Sequence, residues 1–181
     1  MQTEIIIAGF GGQGVLFAGQ LLAYAGMDEG KNVTWIPSYG PEMRGGTANC
    51  TVVVSDEEIG SPFVRNPSAA IAMNRPSLDK YEDLVKSGGV LVINSSIVDR
   101  PAVRKDIKIV EVDANGIAEK LGDKRMTNMV LIGALLANLK LMPVEAIEKA
   151  LKGHLPERHK KLLPKNCEAL REGAKHIARK N

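Results

Sequence analysis

Only two cysteines, Cys50 and Cys167, occur in this 181-residue chain, far apart and with no CxxC pair. That excludes a zinc site or an iron–sulfur cluster built from the chain's own thiolates. Aromatic residues make up 4% of the sequence and the net charge is +3. The basic stripe interleaved with stacking rings that single-stranded nucleic acid needs is missing, so nucleic acid is not an expected partner. The apolar run at Ile5 has no basic leader and breaks into glycine too early for a signal peptide or a membrane span. The expected setting is a reducing cytoplasm, with no membrane partner. What remains, 44% apolar and 25% charged residues with 18 glycines, is ordinary for a globular chain. One domain over residues 1–181 is expected, since a chain of this size buries roughly 70% of its unfolded surface.

The apolar patterning alternates between strand and helix. Glu4 to Ala8 is a continuous isoleucine-rich run ended by glycine, as in a strand buried on both faces. Val15, Ala18, Leu22 and Ala25 recur at helical spacing and predict a helix over 15–29, closed by Gly30. Strands are expected over 33–36 and 47–54, with 37–46 as a loop between them. Further strands are expected over 69–73, 90–93 and 107–112, and a helix over 77–86. Asp113 is placed to cap a short helix through Leu121, and Thr127 a long one through about Leu139. Pro143 and Pro164 fit the first positions of two closing helices, through Lys152 and about Arg179. The expected fold is α/β, Rossmann-like, with a mostly parallel central sheet and a helical C-terminal portion.

Between the first strand and the first helix lies "GFGGQG", in which Gly9, Gly11 and Gly14 satisfy GxGxxG. Glycine admits positive φ and close approach of a ligand to the backbone. The helix start adds unpaired N–H groups and the positive end of a dipole, so an anionic phosphate suits the turn. A dinucleotide site also needs a carboxylate at the end of the second strand to hold ribose hydroxyls, and here that strand ends Ile36, Pro37, Ser38. Asp28 and Glu29 precede the strand. The pattern therefore leaves open either a ligand site or a tight strand-to-helix turn with close packing. Gln13, a polar amide among glycines, suits a ligand or a neighbouring backbone.

A second stretch is more specific: Ser38, Tyr39, Glu42 and Arg44 are set among Pro37, Gly40, Pro41, Gly45 and Gly46. With "GFGGQGV" at 9–15, "PSYGPEMRGGTANC" at 37–50, "IGSP" at 59–62, "AMNRPSLDK" at 72–80 and "TNMVLIGAL" at 127–135, the chain resembles the gamma subunit of the 2-oxoacid:ferredoxin oxidoreductases, particularly the form for 2-oxoglutarate or branched-chain 2-oxoacids. The resemblance spans most of the sequence. It implies a complex that cleaves a 2-oxoacid, releases CO2, forms an acyl-CoA and reduces ferredoxin, with thiamine diphosphate and iron–sulfur clusters held by partner subunits. The implied partners are alpha and beta subunits and an iron–sulfur subunit, with ferredoxin met indirectly.

This chain would then carry no catalytic residue, and the one Gly-Asp pair, Gly122-Asp123, lacks the setting of a thiamine motif. Its implied task is interface and a surface for coenzyme A (CoA), drawn from Gly9, Gly11, Gly12, Gln13, Gly14, Ser38, Tyr39, Glu42 and Arg44. Arg44 is able to pair a phosphate or carboxylate bidentately, or instead Glu42 or a subunit across an interface. Tyr39 and Met43 are candidate interface anchors. Asn74 and Asn94 read as turn formers at strand ends. The basic stretch "KGHLPERHKKLLPK" holds His154 and His159 and reads as a solvated face, although it also suits an acidic partner or CoA phosphates. Cys50 and Cys167 read as packed, unreactive thiols. Self-association of the isolated chain is expected. Two other readings stay open: a free-standing nucleotide-binding oxidoreductase and a noncatalytic assembly module.

Overall fold

The computed structural model describes residues 1–40 and 46–177. Six strands form one sheet in the order β2-β3-β1-β4-β5-β6, with β1 at Gln2–Phe10, β2 at Asn32–Tyr39, β3 at Thr47–Ser55, β4 at Ala69–Ala72, β5 at Val90–Asn94 and β6 at Lys108–Val112. β1, β4, β5 and β6 run parallel, while β3 lies antiparallel between β1 and β2. The sheet is thus mixed with a parallel majority. The first crossover, through α1 at Val15–Asp28, skips the place beside β1 that a dinucleotide fold gives its second strand.

Ile5 and Ile7 point to one face and Ile6 and Ala8 to the other, which is why β1 needed an unbroken apolar run. The larger core packs the first face beneath α1, α4 at Thr127–Asn138, α5 at Val144–His154 and α6 at Leu163–Ala174. The smaller core covers β4 to β6 with Leu78 and Tyr81 of α2, at Arg75–Tyr81, and with Val98 and Ile107. A short α3, Ala114–Lys120, follows β6. No described helix is long and apolar enough to cross a membrane.

Several sequence expectations shift by a few residues. β2 continues through Pro37, Ser38 and Tyr39, which were expected in the loop; it is an edge strand, where a missing proline N–H is tolerated. Thr127 does not cap α4. Met126 stands at that position, Asp123 accepts from the Arg125 amide to cap the 3-10 turn before it, and the Thr127 hydroxyl donates to the Lys124 carbonyl (2.9 Å). Asp113 does cap α3, accepting from the Gly116 amide. Asn74 caps α2, which starts two residues earlier than expected and tightens into a 3-10 turn over Glu82–Leu84. Pro143 sits one position outside α5, and α5 runs on to His154. α6 ends at Ala174, while Arg179 lies outside the described residues.

Candidate functional site

The glycine turn follows β1 at the carboxyl edge of the sheet, where open α/β sheets leave room for ligands. Its conformation comes from within: the Gln13 Oε1 accepts from the Phe10 amide at 2.6 Å, and the Gln13 amide donates to the Phe10 carbonyl at 3.2 Å. Gly12 and Gly14 have φ of 94° and 75°, a region that side-chain-bearing residues rarely adopt. A Cβ at Gly12 would meet nothing within 4 Å. A Cβ at Gly9 would instead press on Gln13 Oε1 (2.5 Å) and Met73 Cβ (2.9 Å), so Gly9 serves packing.

Gly14 stands at the start of α1, and no side chain caps the helix. The first-turn N–H groups therefore keep their unmet donors and their share of the helix dipole. The turn borders a crevice of about 470 Å³ lined by Gly12, Gln13 and Gly14 and by Asn115, Glu119, Lys124, Arg125 and Thr127. Lys124 pairs with Glu119 at 2.7 Å, and Arg125 grips Asp123 with two nitrogens at 2.7 and 2.9 Å. The Arg125 guanidinium holds the Asp123 carboxyl down at about 2. The polar floor is ordered as well. Asn94 Nδ2 donates to Asn115 Oδ1 (3.1 Å), the Asn115 amide donates to Ser96 Oγ (2.9 Å), and the Ser96 hydroxyl donates to Asp113 (2.6 Å). That hydrogen bond, with the Gly116 amide, lowers the Asp113 pKa.

The second loop joins the first. The Gly11 amide donates to the Gly46 carbonyl at 2.9 Å and the Gly40 amide to the Thr47 carbonyl at 2.7 Å, so both turns share the carboxyl edge. Ser38 and Tyr39 are exposed there, Tyr39 at 66%. Glu42, Met43 and Arg44 lie outside the described residues. Of the other flagged residues, Asn94 is buried in the polar floor, while Asn74 caps α2 and leaves its Nδ2 buried without a partner. Asn115, Lys124, Arg125 and Thr127 line the crevice without having been singled out for ligand contact. The signal for them was positional: they follow the end of β6 at the same sheet edge.

His154 and His159 were expected on a solvated face, and the stretch is mostly exposed, with His159 half-buried, but both side chains also have partners there. The His154 ring stacks on Tyr24 with centroids 4.1 Å apart, and its Nε2 lies 3.1 Å from Asp28. Both histidines line a second cavity, of about 500 Å³, on the flank of α1. Asp28 is thus held at the far end of α1, away from the glycine turn.

The two cysteines do not assemble a redox site. Cys50 is fully buried beside Val15 and Gly19, and burial pushes its thiol up to about 12. Cys167 is half-buried on α6, also with a raised pKa, chiefly through burial. Among the described residues no group of three or more His, Cys, Asp or Glu side chains gathers to hold a metal ion. Asp123 of the Gly-Asp pair is engaged with Arg125.

Comparison with known proteins connects this geometry to a family. Residues 4–176 match the pyruvate ferredoxin/flavodoxin oxidoreductase family. The ketoisovalerate oxidoreductase subunit VorA of Methanothermobacter thermautotrophicus is 39% identical over 96% of this chain, and this chain spans only 36% of it. The 2-oxoglutarate synthase subunit KorC of Methanothermobacter marburgensis is 39% identical over 86% of this chain and 88% of its own length. Among solved structures, the gamma subunit of a keto/oxoacid ferredoxin oxidoreductase from Geobacter sulfurreducens superposes with a TM-score of 0.79 at 31% identity, covering 96% of both chains. The 2-oxoglutarate:ferredoxin oxidoreductase of Magnetococcus marinus shares the fold, with a TM-score of 0.86 at 22% identity over 96% of this chain and 30% of that one. Matched over nearly its whole length, the chain belongs to the pyruvate ferredoxin/flavodoxin oxidoreductase family, as a gamma-type subunit of the 2-oxoacid:ferredoxin oxidoreductases.

Proposed function

We propose that this chain is the gamma subunit of a multisubunit enzyme that oxidatively decarboxylates a 2-oxoacid, with 2-oxoglutarate favoured, to its acyl-CoA while reducing ferredoxin. Alpha and beta subunits and an iron–sulfur subunit supply thiamine diphosphate and the clusters. Two lone cysteines cannot ligate a cluster, and Asp123 of the Gly-Asp pair is engaged by Arg125, so on this reading the chain does not turn over alone. Its contribution is interface and a surface for CoA at the glycine turn.

The observation that carries this reading is the open, uncapped start of α1, beside a crevice that Glu119, Lys124, Arg125 and Thr127 also line. Unmet N–H donors suit a diphosphate group, which would share Lys124 and Arg125 with the Glu119 and Asp123 carboxylates they already pair. The Magnetococcus relative was solved with 2-oxoglutarate, CoA and succinyl-CoA bound, in keeping with CoA as the anion. Gly11, Gly12, Gln13 and Gly14 would meet the pyrophosphate. Ser38 and Tyr39, at the end of β2, are exposed at the same edge, and Glu42 and Arg44, which follow them in sequence, are proposed to contribute to the same surface.

A Gly12→Val substitution tests this directly, because its side chain would project into open crevice. Gly30→Ala is the matched control: its φ is 74°, also with open space around it, at the other end of α1. In the reconstituted complex Gly12→Val should raise the CoA requirement while Gly30→Ala does not. Equal CoA dependence in both would refute the CoA surface and leave an assembly role. Exposed Phe63 and Val103 are surfaces for partner subunits on this reading, and the isolated chain should self-associate, which light scattering detects.

A further inference from the structure

The cavity on the flank of α1 is separate from the crevice at the glycine turn, yet Arg125 lines both. Its volume of about 500 Å³ falls within the range of small-molecule sites, which combine apolar walls with a few placed polar groups. Phe17, Leu151, Leu155 and Leu162 supply the apolar wall. The stacked Tyr24 and His154 rings, tilted by only 5° from each other, supply a flat aromatic surface. Gln20 and Asn166 spend their amide nitrogens on the Tyr24 hydroxyl and the Leu162 carbonyl, and their amide oxygens accept from no described residue. Two free acceptors beside an aromatic surface match an exocyclic amine on a planar base.

The mouth of the cavity is basic. From Lys152 to Lys165 the sequence carries five Lys or Arg residues against one carboxylate, Glu157, which Lys160 already pairs. Arg158 is exposed at the rim, and its Nε donates only to His159 Nε2 at 3.2 Å; among the described residues no carboxylate pairs with it. An unpaired guanidinium beside aromatic rings suits a phosphate attached to a base.

We propose that this cavity binds a phosphorylated nucleoside, with the base against the Tyr24–His154 rings and the phosphate on Arg158. Two sources share that chemistry: the 3′-phosphoadenosine end of a CoA molecule whose pyrophosphate lies at the glycine turn, and a free adenine nucleotide. The first rests on the proposed function, since it needs the crevice and the cavity to be filled together across Arg125. The second does not.

Calorimetric titration of the full chain with CoA, dephospho-CoA, adenosine 3′,5′-diphosphate and AMP tests the site and separates the sources. Arg158→Ala, a change at an exposed side chain, should weaken adenosine 3′,5′-diphosphate at least tenfold, and Tyr24→Leu should do the same through the ring. With CoA as the source, CoA binds more tightly than both adenosine 3′,5′-diphosphate and dephospho-CoA, Arg158→Ala removes its advantage over dephospho-CoA, and Gly12→Val removes its advantage over adenosine 3′,5′-diphosphate. With a free nucleotide as the source, CoA has no such advantage, and AMP binds as well as adenosine 3′,5′-diphosphate. CoA binding weakened by Arg158→Ala but untouched by Gly12→Val would keep the cavity and overturn the glycine-turn reading. Absence of binding by all four ligands, or binding that Arg158→Ala and Tyr24→Leu leave unchanged, overturns the proposal.

Discussion

The Asn128 side chain donates to the Gly14 carbonyl at 3.2 Å, tying the start of α4 to the start of α1. A Cβ at Gly14 would overlap Asn128 Nδ2, and the φ of 75° disfavours any side chain there. Gly14→Ala is therefore expected to destabilise the chain by about 1–3 kcal/mol through backbone strain and the displaced amide. Asn128→Ala should cost less, about 1 kcal/mol, because the Gly14 carbonyl still accepts from the Ala18 amide. Denaturant unfolding of the two variants checks the order, and a more stable Gly14→Ala would refute it.

α4 and α6 meet through two glycines. A Cβ on Gly133 would overlap the Leu170 carbonyl, and one on Gly173 would overlap the Val130 carbonyl. Both obstacles are backbone, which cannot rotate away as a side chain does. Gly133→Ala and Gly173→Ala should each destabilise by roughly 1–3 kcal/mol or more by forcing the helices apart. The double variant should cost less than the sum, since the first substitution already opens the contact the second needs. Strict additivity in thermal or denaturant unfolding would show that the helices do not move as a pair.

Most of this architecture was legible in the residues, for identifiable reasons. Asp113 and the Gly30 stop were read correctly because capping chemistry is local: one side-chain oxygen and one left-handed glycine suffice. Pro37 misled because an edge strand accepts proline, and edge status depends on β3 lying between β2 and β1, a long-range pairing. Thr127 misled for a related reason. Asp123 takes over the entry to α4 through a 3-10 turn, and both residues fit a cap equally well in sequence. The crevice opposite the glycine turn was half hidden, since Asn115, Lys124 and Arg125 carry no spacing that marks a ligand; only the chain's return to one sheet edge gathers them. His154 meets Tyr24 and Asp28 across more than a hundred positions, which no local pattern reveals.

Glu82 should govern part of the acid sensitivity. Burial, the largest single influence on its carboxyl, pushes the pKa up. The Arg100 guanidinium and the amides of Arg104 and Val103 together outweigh that and hold it below its ordinary 4.5. A folded-state pKa below the unfolded one gives stability that is present above about pH 4.5 and lost as pH falls through the depressed value. Glu82→Gln should cost roughly 1.5 to 3 kcal/mol at neutral pH, the range for a hydrogen bond to a charged group, and should flatten the decline in stability below pH 4.5. Chemical unfolding from pH 7 down to pH 3 reads both effects. An unchanged acid slope would assign the sensitivity to other carboxylates.

Gln13 allows the shape of the glycine turn to be separated from its charge. Its Oε1 accepts from the Phe10 amide at 2.6 Å, an interaction that a glutamate carboxylate can reproduce with the same reach. Gln13→Glu should therefore preserve the turn and the fold, whereas Gln13→Ala leaves that amide without its acceptor and loosens the loop. The two variants should diverge in the opposite sense toward an anion. Glutamate places a negative charge beside the open start of α1, where a diphosphate would sit, and like charges a few ångströms apart repel strongly in a partly desolvated crevice. We expect Gln13→Glu to weaken CoA binding by about tenfold, near 1.4 kcal/mol, with unfolding behaviour close to that of the original chain. If Gln13→Glu binds CoA as tightly as the unaltered chain while Gln13→Ala does not, the turn contributes geometry alone, and the anion must be held elsewhere.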